Sequence, residues 1–264
     1  MAAAEPFLDA DLLRAATFVR HVELHDEILS TNDRALILAR QDGLALPALV
    51  VARQQTGGRG RGRKHWWSAD GALTYSLLLD PIAVGVAPAR WPQLSLAAGV
   101  AVCDALMPFA PRADIGVKWP NDVFVDQRKV CGILIESPAG GLPAKGRLVV
   151  GIGVNVNNSW DAAPQEAGNG VALCDITGRR HELQAVLIGL LGAFAKRFEQ
   201  LRDHAAELPR AWQRLDLLAG KSVVLDSERG RIAGPCRGIA ADGALVIETP
   251  DGQKAFYSGT AKGR

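Results

Sequence analysis

Apolar and polar positions divide the chain into two regimes that change near residue 215. Before it, short apolar runs alternate with stretches whose apolar residues recur every three or four positions. That is the rhythm of strands interleaved with helices. Residues 9–20 carry Leu12, Leu13, Ala16 and Val19 at helical spacing, and residues 21–29 alternate through Val22, Leu24 and Ile28 as a strand. Ser30-Thr31-Asn32-Asp33 sets capping oxygens just ahead of Ala35, Leu36 and Leu38, which marks a helix start. Residues 48–52 and 73–79 read as strands. After Pro92, the positions Leu94, Ala97, Ala98, Ala101, Val102 and Ala105 form an apolar helix face. Residues 115–118 make a short strand. Residues 123–125 and 130–135 then flank the polar Asp126-Gln127-Arg128 as a hairpin. A strand over 148–154 is interrupted by Gly151 and Gly153. From His181 onward, Leu183, Leu187, Leu190, Leu191, Phe194, Phe198 and Leu201 predict an amphipathic helix.

Beyond residue 216 only strands are predicted, over 222–225, 231–239, 244–248 and 255–257, with turns at Asp242-Gly243 and Asp251-Gly252. The pattern therefore predicts an α/β (α+β) body over residues 1–215 and a small β-barrel over residues 216–264. A chain of 264 residues has room for one domain of roughly 200–220 residues and a minor one.

Composition narrows the function classes. Lys+Arg of 30 against Asp+Glu of 28 leaves a formal charge of +2, too balanced for a general nucleic-acid or membrane-surface binder. Cys103, Cys131, Cys174 and Cys236 show no CxxC pair and no zinc spacing, so they read as spectator thiols of a reducing compartment. Residues 1–6 are Ala-rich but carry Glu5 and lack a basic n-region, unlike a signal peptide. No apolar stretch approaches the ~20 residues that span a bilayer. The expected address is cytoplasmic.

Three segments carry candidate chemistry. Residues 55–66 read Gln-Thr-Gly-Gly-Arg-Gly-Arg-Gly-Arg-Lys-His-Trp: glycines for close backbone approach, arginines for bidentate contact with phosphate or carboxylate, and Trp66 to stack on a flat ring. The same residues suit a solvated basic loop or an Arg/Gly contact to RNA. No Gly-Lys-Ser/Thr follows, so this is not a P-loop. Lys118-Trp119-Pro120-Asn121-Asp122 ends a strand, and Lys129 opens an apolar one, where it faces a partly dry site or sits as an ordinary turn lysine. Gly151-Ile152-Gly153-Val154-Asn155 places two glycines in a strand, which packing alone can require.

Together and in this order, these segments resemble the biotin protein ligase family. Its central domain carries a GRGR-x4-W loop, here 58–61 with Trp66, and a KWPND segment, here 118–122. A lysine seven residues after that Asp, here Lys129, and a GxGxN strand, here 151–155, complete the set. The Ser30-Thr31-Asn32 helix start and the tail over 243–259 also match, so the resemblance spans about residues 20–260.

The resemblance implies a biotin/lipoate ligase-like catalytic domain, a mixed sheet with helices on one side, and a C-terminal SH3-like barrel. It implies ATP-dependent formation of biotinyl-5′-AMP and transfer of biotin to a lysine of a biotin carboxyl carrier protein. The biotin pocket maps onto Ser30, Thr31, Asn32, Gln55, Arg59, Gly60, Arg61, Lys129 and Gly132. The nucleotide side maps onto Arg59, Arg61, Trp66, Lys118, Asn121, Lys129 and Asn155. Arg61 and Lys129 are the expected catalytic cations, and Asp122 is the acid that orients or deprotonates the acceptor amine. Mg²⁺ is expected with ATP, its ligands unnamed by any motif. Members often place Arg where Lys64 stands, flanked here by Arg63 and His65, and a Gly-Glu pair where Gly259-Thr260 stands. About 20 residues precede the catalytic pattern, too few for a helix-turn-helix, so no specific DNA binding is expected. The competing readings are a lipoate or octanoate ligase or transferase of the same fold, and an RNA-binding module. No motif decides which carrier is modified, whether the chain forms a homodimer, or whether the 55–66 loop is ordered before ligand binds.

Overall fold

Seven strands form one sheet in the order β1-β2-β3-β7-β6-β5-β4. They are β1 (His21–Ile28), β2 (Ala48–Gln55), β3 (Leu73–Leu79), β4 (Ile115–Lys118), β5 (Asp122–Val125), β6 (Arg128–Glu136) and β7 (Leu148–Val154). Only β1 and β2 run parallel; every other neighbouring pair is antiparallel, which makes the sheet mixed, as expected. The computed structural model describes residues 7–62, 64–138, 146–227 and 230–263. The readings made on residues 1–6 and on Arg63 lie outside the described residues.

β3 and β7 are buried along their whole length because both faces are covered; β7 is apolar apart from Gly151 and Gly153, whereas β3 also buries the polar Thr74 and Ser76. One face takes α1 (Ala10–Ala16), α3 (Leu94–Leu106), α5 (Leu183–Asp203) and α6 (Leu208–Gln213). Leu49, Val51, Tyr75, Leu77, Val150 and Ile152 point into that main core. The expectation of helices on one side is corrected on the other face. There Ala48, Val50, Leu78 and Val149 pack against Ala35 and Leu38 of α2 (Thr31–Leu38) and its C-cap Ala39. The period-two alternation of β2 and β3 supplies both faces with apolar groups, so both need a cover.

The β5–β6 hairpin turns on Asp126 and Gln127, with φ of 48° and 65°. Two consecutive left-handed residues match the twist of the flanking strands in a two-residue loop. Arg128 therefore belongs to β6, opposite Val125, rather than to the turn. Two short helices escaped the sequence pattern, α4 (Leu173–Thr177) and α6, each too brief to show a period.

The C-terminal region is a five-stranded antiparallel sheet in the order β11-β10-β9-β8-β12. Its strands are β8 (Ser222–Ser227), β9 (Gly230–Ile239), β10 (Leu245–Thr249), β11 (Gly252–Phe256) and β12 (Thr260–Gly263). The fifth, β12, has one buried residue, Ala261, and takes its place by pairing with β8. The two sheets meet at β4, where Val117 exchanges backbone hydrogen bonds with Leu215 and Leu217. Trp119 Nε1 and Gln93 Nε2 donate to the carbonyls of Gly243 and Ala241. That junction brings the start of β12 over the end of the large sheet. No helix among the described residues is long and apolar enough to cross a membrane.

Candidate active site

A cavity of about 960 Å³ opens between the start of α2, the glycine-rich loop, β6, β7 and the small sheet. Ser30, Thr31, Asn32, Gln55, Arg59, Gly60, Arg61, Trp66, Asn121, Asp122, Lys129 and Gly132 all stand on its wall. Residues distant by up to a hundred positions are thus brought together.

One end is neutral and rich in hydrogen bonds. Ser30 caps α2, its Oγ accepting from Asp33 N at 3.5 Å, which leaves its hydroxyl hydrogen available. Gln55 Oε1 accepts from Thr31 N at 2.7 Å and from Thr31 Oγ1 at 3.0 Å. Ser76, fully buried on β3, donates its one hydroxyl hydrogen to Asn32 Oδ1 and lies within hydrogen-bond distance of Thr31 Oγ1. Asn32 Nδ2 donates to Glu136 Oε2 at 2.7 Å and to Leu134 O at 3.3 Å. Both Asn32 amide hydrogens are occupied, while Oδ1 keeps a lone pair. This end can donate from Ser30 and accept at Asn32, as a neutral cyclic urea requires. Gly151 is part of the same construction: a Cβ there would lie 2.1 Å from Asn32 Oδ1.

The other end is cationic. Lys129 Nζ lies 2.7 Å from Asp122 Oδ1 and 5.9 Å from the Trp66 ring centroid. The Lys129 backbone is clamped by Asn169 O, Val171 N and Asn155 Nδ2. Arg61 Nη1 donates to Asn121 Oδ1 and to Gly259 O, both at 3.3 Å, so the loop touches the small sheet. Burial pushes the Arg61 pKa down, against the opposing charge of Asp122. Trp66 lies against β7, where a Cβ on Gly153 would come within 2.3 Å of the indole. Its Nε1 is buried without a hydrogen-bond partner. Arg59 bonds Glu136 and Asp33, contacts that raise its pKa, Glu136 foremost.

Two expected nucleotide contacts stand elsewhere. Asn155 is fully buried, and its amide binds Lys129 O, Val171 O and Asn158, so it braces the lysine from behind the wall. Lys118 lies off the wall over the Phe124 ring, 5.2 Å from its centroid, and burial lowers its pKa. The pattern missed Ser76 and Glu136, whose strands mask single polar residues. It also missed the small sheet's contribution, Asp226, Ser227, Ser258, Gly259 and Thr260. Among the described residues no cluster of three His, Cys, Asp or Glu is arranged to hold a metal.

Residues 26–155, which carry most of this wall, match the profile of the Biotin/lipoate A/B protein ligase family. Residues 219–261 match the Biotin protein ligase C terminal domain. A biotin–[acetyl-CoA-carboxylase] ligase of Paracoccus denitrificans is 36% identical over 86% of this chain and 94% of its own length. The chain belongs to the biotin protein ligase family. The family's bifunctional ligase/repressor BirA of Bacillus subtilis is 31% identical over 93% of this chain and 75% of its own length. A biotin protein ligase from Aquifex aeolicus, solved in complex with biotin and ATP, shares the fold with a TM-score of 0.79 and 30% identity. It covers 93% of this chain and 99% of its own. Against those relatives, the GRGR loop, the hairpin lysine and the glycine strand of this chain stand as parts of one cavity rather than three isolated motifs.

Proposed function

We infer that this chain is an ATP-dependent biotin protein ligase that makes biotinyl-5′-AMP and passes biotin to a lysine of a carboxyl carrier protein. The observation that carries this reading is one cavity with a neutral donor–acceptor end at Ser30 and Asn32 and a cationic end at Arg61 and Lys129. Biotin has the same polarity: a ureido ring at one end and a carboxylate at the other. The ring docks at the start of α2, and the tail reaches the cations. There the carboxylate oxygen attacks the α-phosphorus of ATP, the bond to the β-phosphate oxygen breaks, and pyrophosphate leaves. Two anions must meet for this step. Arg61 and Lys129 offset their repulsion and stabilise the charge of the transition state.

In the second step an acceptor lysine amine attacks the acyl carbon of the mixed anhydride and AMP departs. The amine enters as ammonium and must lose a proton. Asp122, on the wall and paired with Lys129, is the acceptor for it. Trp66, on the cavity wall, offers the adenine a ring face. Mg²⁺ would accompany ATP and neutralise phosphate charge; with no cluster of three His, Cys, Asp or Glu among the described residues arranged to hold it, phosphate oxygens and water would be its main ligands. The acceptor we propose is the biotin carboxyl carrier of acetyl-CoA carboxylase, which the name of the Paracoccus relative supports. Four unpaired cysteines fit a reducing, cytoplasmic setting.

Biotin-dependent exchange between ATP and labelled pyrophosphate tests the reading. Exchange with biotin, absent with lipoate or octanoate, is the expected result. Exchange with lipoate alone would hand the site to the lipoyl branch of the fold.

A further inference from the structure

Glu136, the last residue of β6, touches two parts of the site from behind the cavity wall. Its Oε1 accepts from Arg59 Nη1 at 2.8 Å. Its Oε2 accepts from Arg59 Nη2 at 2.9 Å and from Asn32 Nδ2 at 2.7 Å. Asp33 Oδ1 adds a bond from the same Nη2 at 2.6 Å. One carboxylate thereby joins the glycine-rich loop, the start of α2 and a central hairpin strand.

Two physical consequences follow. The Arg59 guanidinium meets two protein carboxylates in a charge-assisted, bidentate geometry, so it serves as the loop's anchor rather than as an uncompensated cation for substrate. The Asn32 amide is also fixed in one orientation. A flipped amide would set Oδ1 against the Glu136 carboxylate and would turn Nδ2 toward the donating Ser76 hydroxyl. Of the amide's polar atoms, only Oδ1 keeps an unused lone pair for a ligand.

We propose that Glu136 is a positioning residue for biotin: it anchors the loop through Arg59 and makes Asn32 present an acceptor to the ligand's ureido N–H. The proposal rests on the ligase reading for its ligand. A glutamine at 136 keeps the size and one acceptor oxygen but removes the charge. It also points an NH₂ at either the guanidinium or Asn32. The hydrogen bonds and ion pairs of Arg61 and Lys129 run to Asn121, Gly259 and Asp122 rather than to Glu136, so the chemistry itself is spared.

The test is Glu136→Gln in biotin-dependent ATP–pyrophosphate exchange, with trypsin nicking of residues 59–64 followed in parallel without ligand. Expected are a biotin KM raised about tenfold, kcat within about twofold, faster nicking, and an unchanged circular-dichroism spectrum. Glu136→Asp, which keeps the charge on a shorter stem, should recover part of both losses. It also carries the test alone if the glutamine variant does not fold, since its biotin KM must then exceed that of wild type. Wild-type KM together with wild-type nicking would overturn the proposal. So would a fall in kcat at unchanged biotin KM, which would mean that Glu136 acts on the chemical step. A wild-type enzyme without biotin-dependent exchange would sink the ligase reading alone, because the nicking comparison needs no substrate.

Discussion

At the scale of single residues, the site depends on a few contacts that tolerate little substitution. Lys129 is the clearest case: its ammonium sits 2.7 Å from Asp122, yet its side chain is about a third exposed. Lys129→Ala should lower pyrophosphate exchange on the order of 10²–10³-fold, the usual loss for one positioned group in a transition state. The melting temperature should move by only a few degrees, because a partly exposed ion pair is worth about 0–1 kcal/mol. An exchange rate near wild type would remove Lys129 from the mechanism. Gly153 fails for a different reason. With 2.3 Å from its missing Cβ to the Trp66 indole, Gly153→Ala must displace the ring, at a cost of about 1–3 kcal/mol. Its ATP KM should rise more than its biotin KM. Equal rises would place Trp66 away from the nucleotide.

At the scale of elements, the β5–β6 hairpin carries both Asp122 and Lys129, so its turn sets their register. Gln127 holds a left-handed φ of 65°, a region costly for a residue with a Cβ. Gln127→Gly should stabilise the protein by about 0.5 kcal/mol, the strain relieved exceeding the extra freedom glycine has when unfolded. Chemical denaturation reads the sign directly, and a lower midpoint would show that Gln127 makes compensating contacts. The start of α2 was legible because capping oxygens announce it, and the structure sets Ser30 at the N-cap. The cover it gives the second face was not, since eight residues whose buried apolar members are Ala35 and Leu38 carry too little apolar signal to say which side they seek.

At the scale of the whole molecule, the parallel edge β1 is tied to α2 by Glu23. Its carboxylate is held down to about 2, chiefly by the Arg34 guanidinium, with His25 and His21 adding to it. A depressed carboxylate contributes stability that is fully present above its unfolded value and is lost as pH falls through the folded one. Wild type should therefore lose stability between about pH 4.5 and 2 through this group. Glu23→Gln should be the less stable protein at neutral pH, with the gap closing toward pH 2. Urea midpoints measured across that range check it; a gap independent of pH would assign the loss to packing instead. The docking of the small sheet belongs to this scale too. Arg61 donates to Gly259 O across the junction, a contact between residues almost two hundred positions apart that no local pattern announces.

The order of the longer elements, the hairpin, the capped helix and the three chemical segments were all set by the sequence itself. Hydrophobic period and turn chemistry are local, and they need no partner to be visible. Tertiary structure alone decided the rest. It placed α2 on the second face, recruited β12 by pairing where one buried residue gave no pattern, and withdrew Asn155 and Lys118 from the cavity wall. It also linked Glu136 to Arg59 and Asn32. These are questions of which polar groups satisfy one another once buried. That depends on side-chain partners brought from distant strands, so spacing along the chain does not encode it.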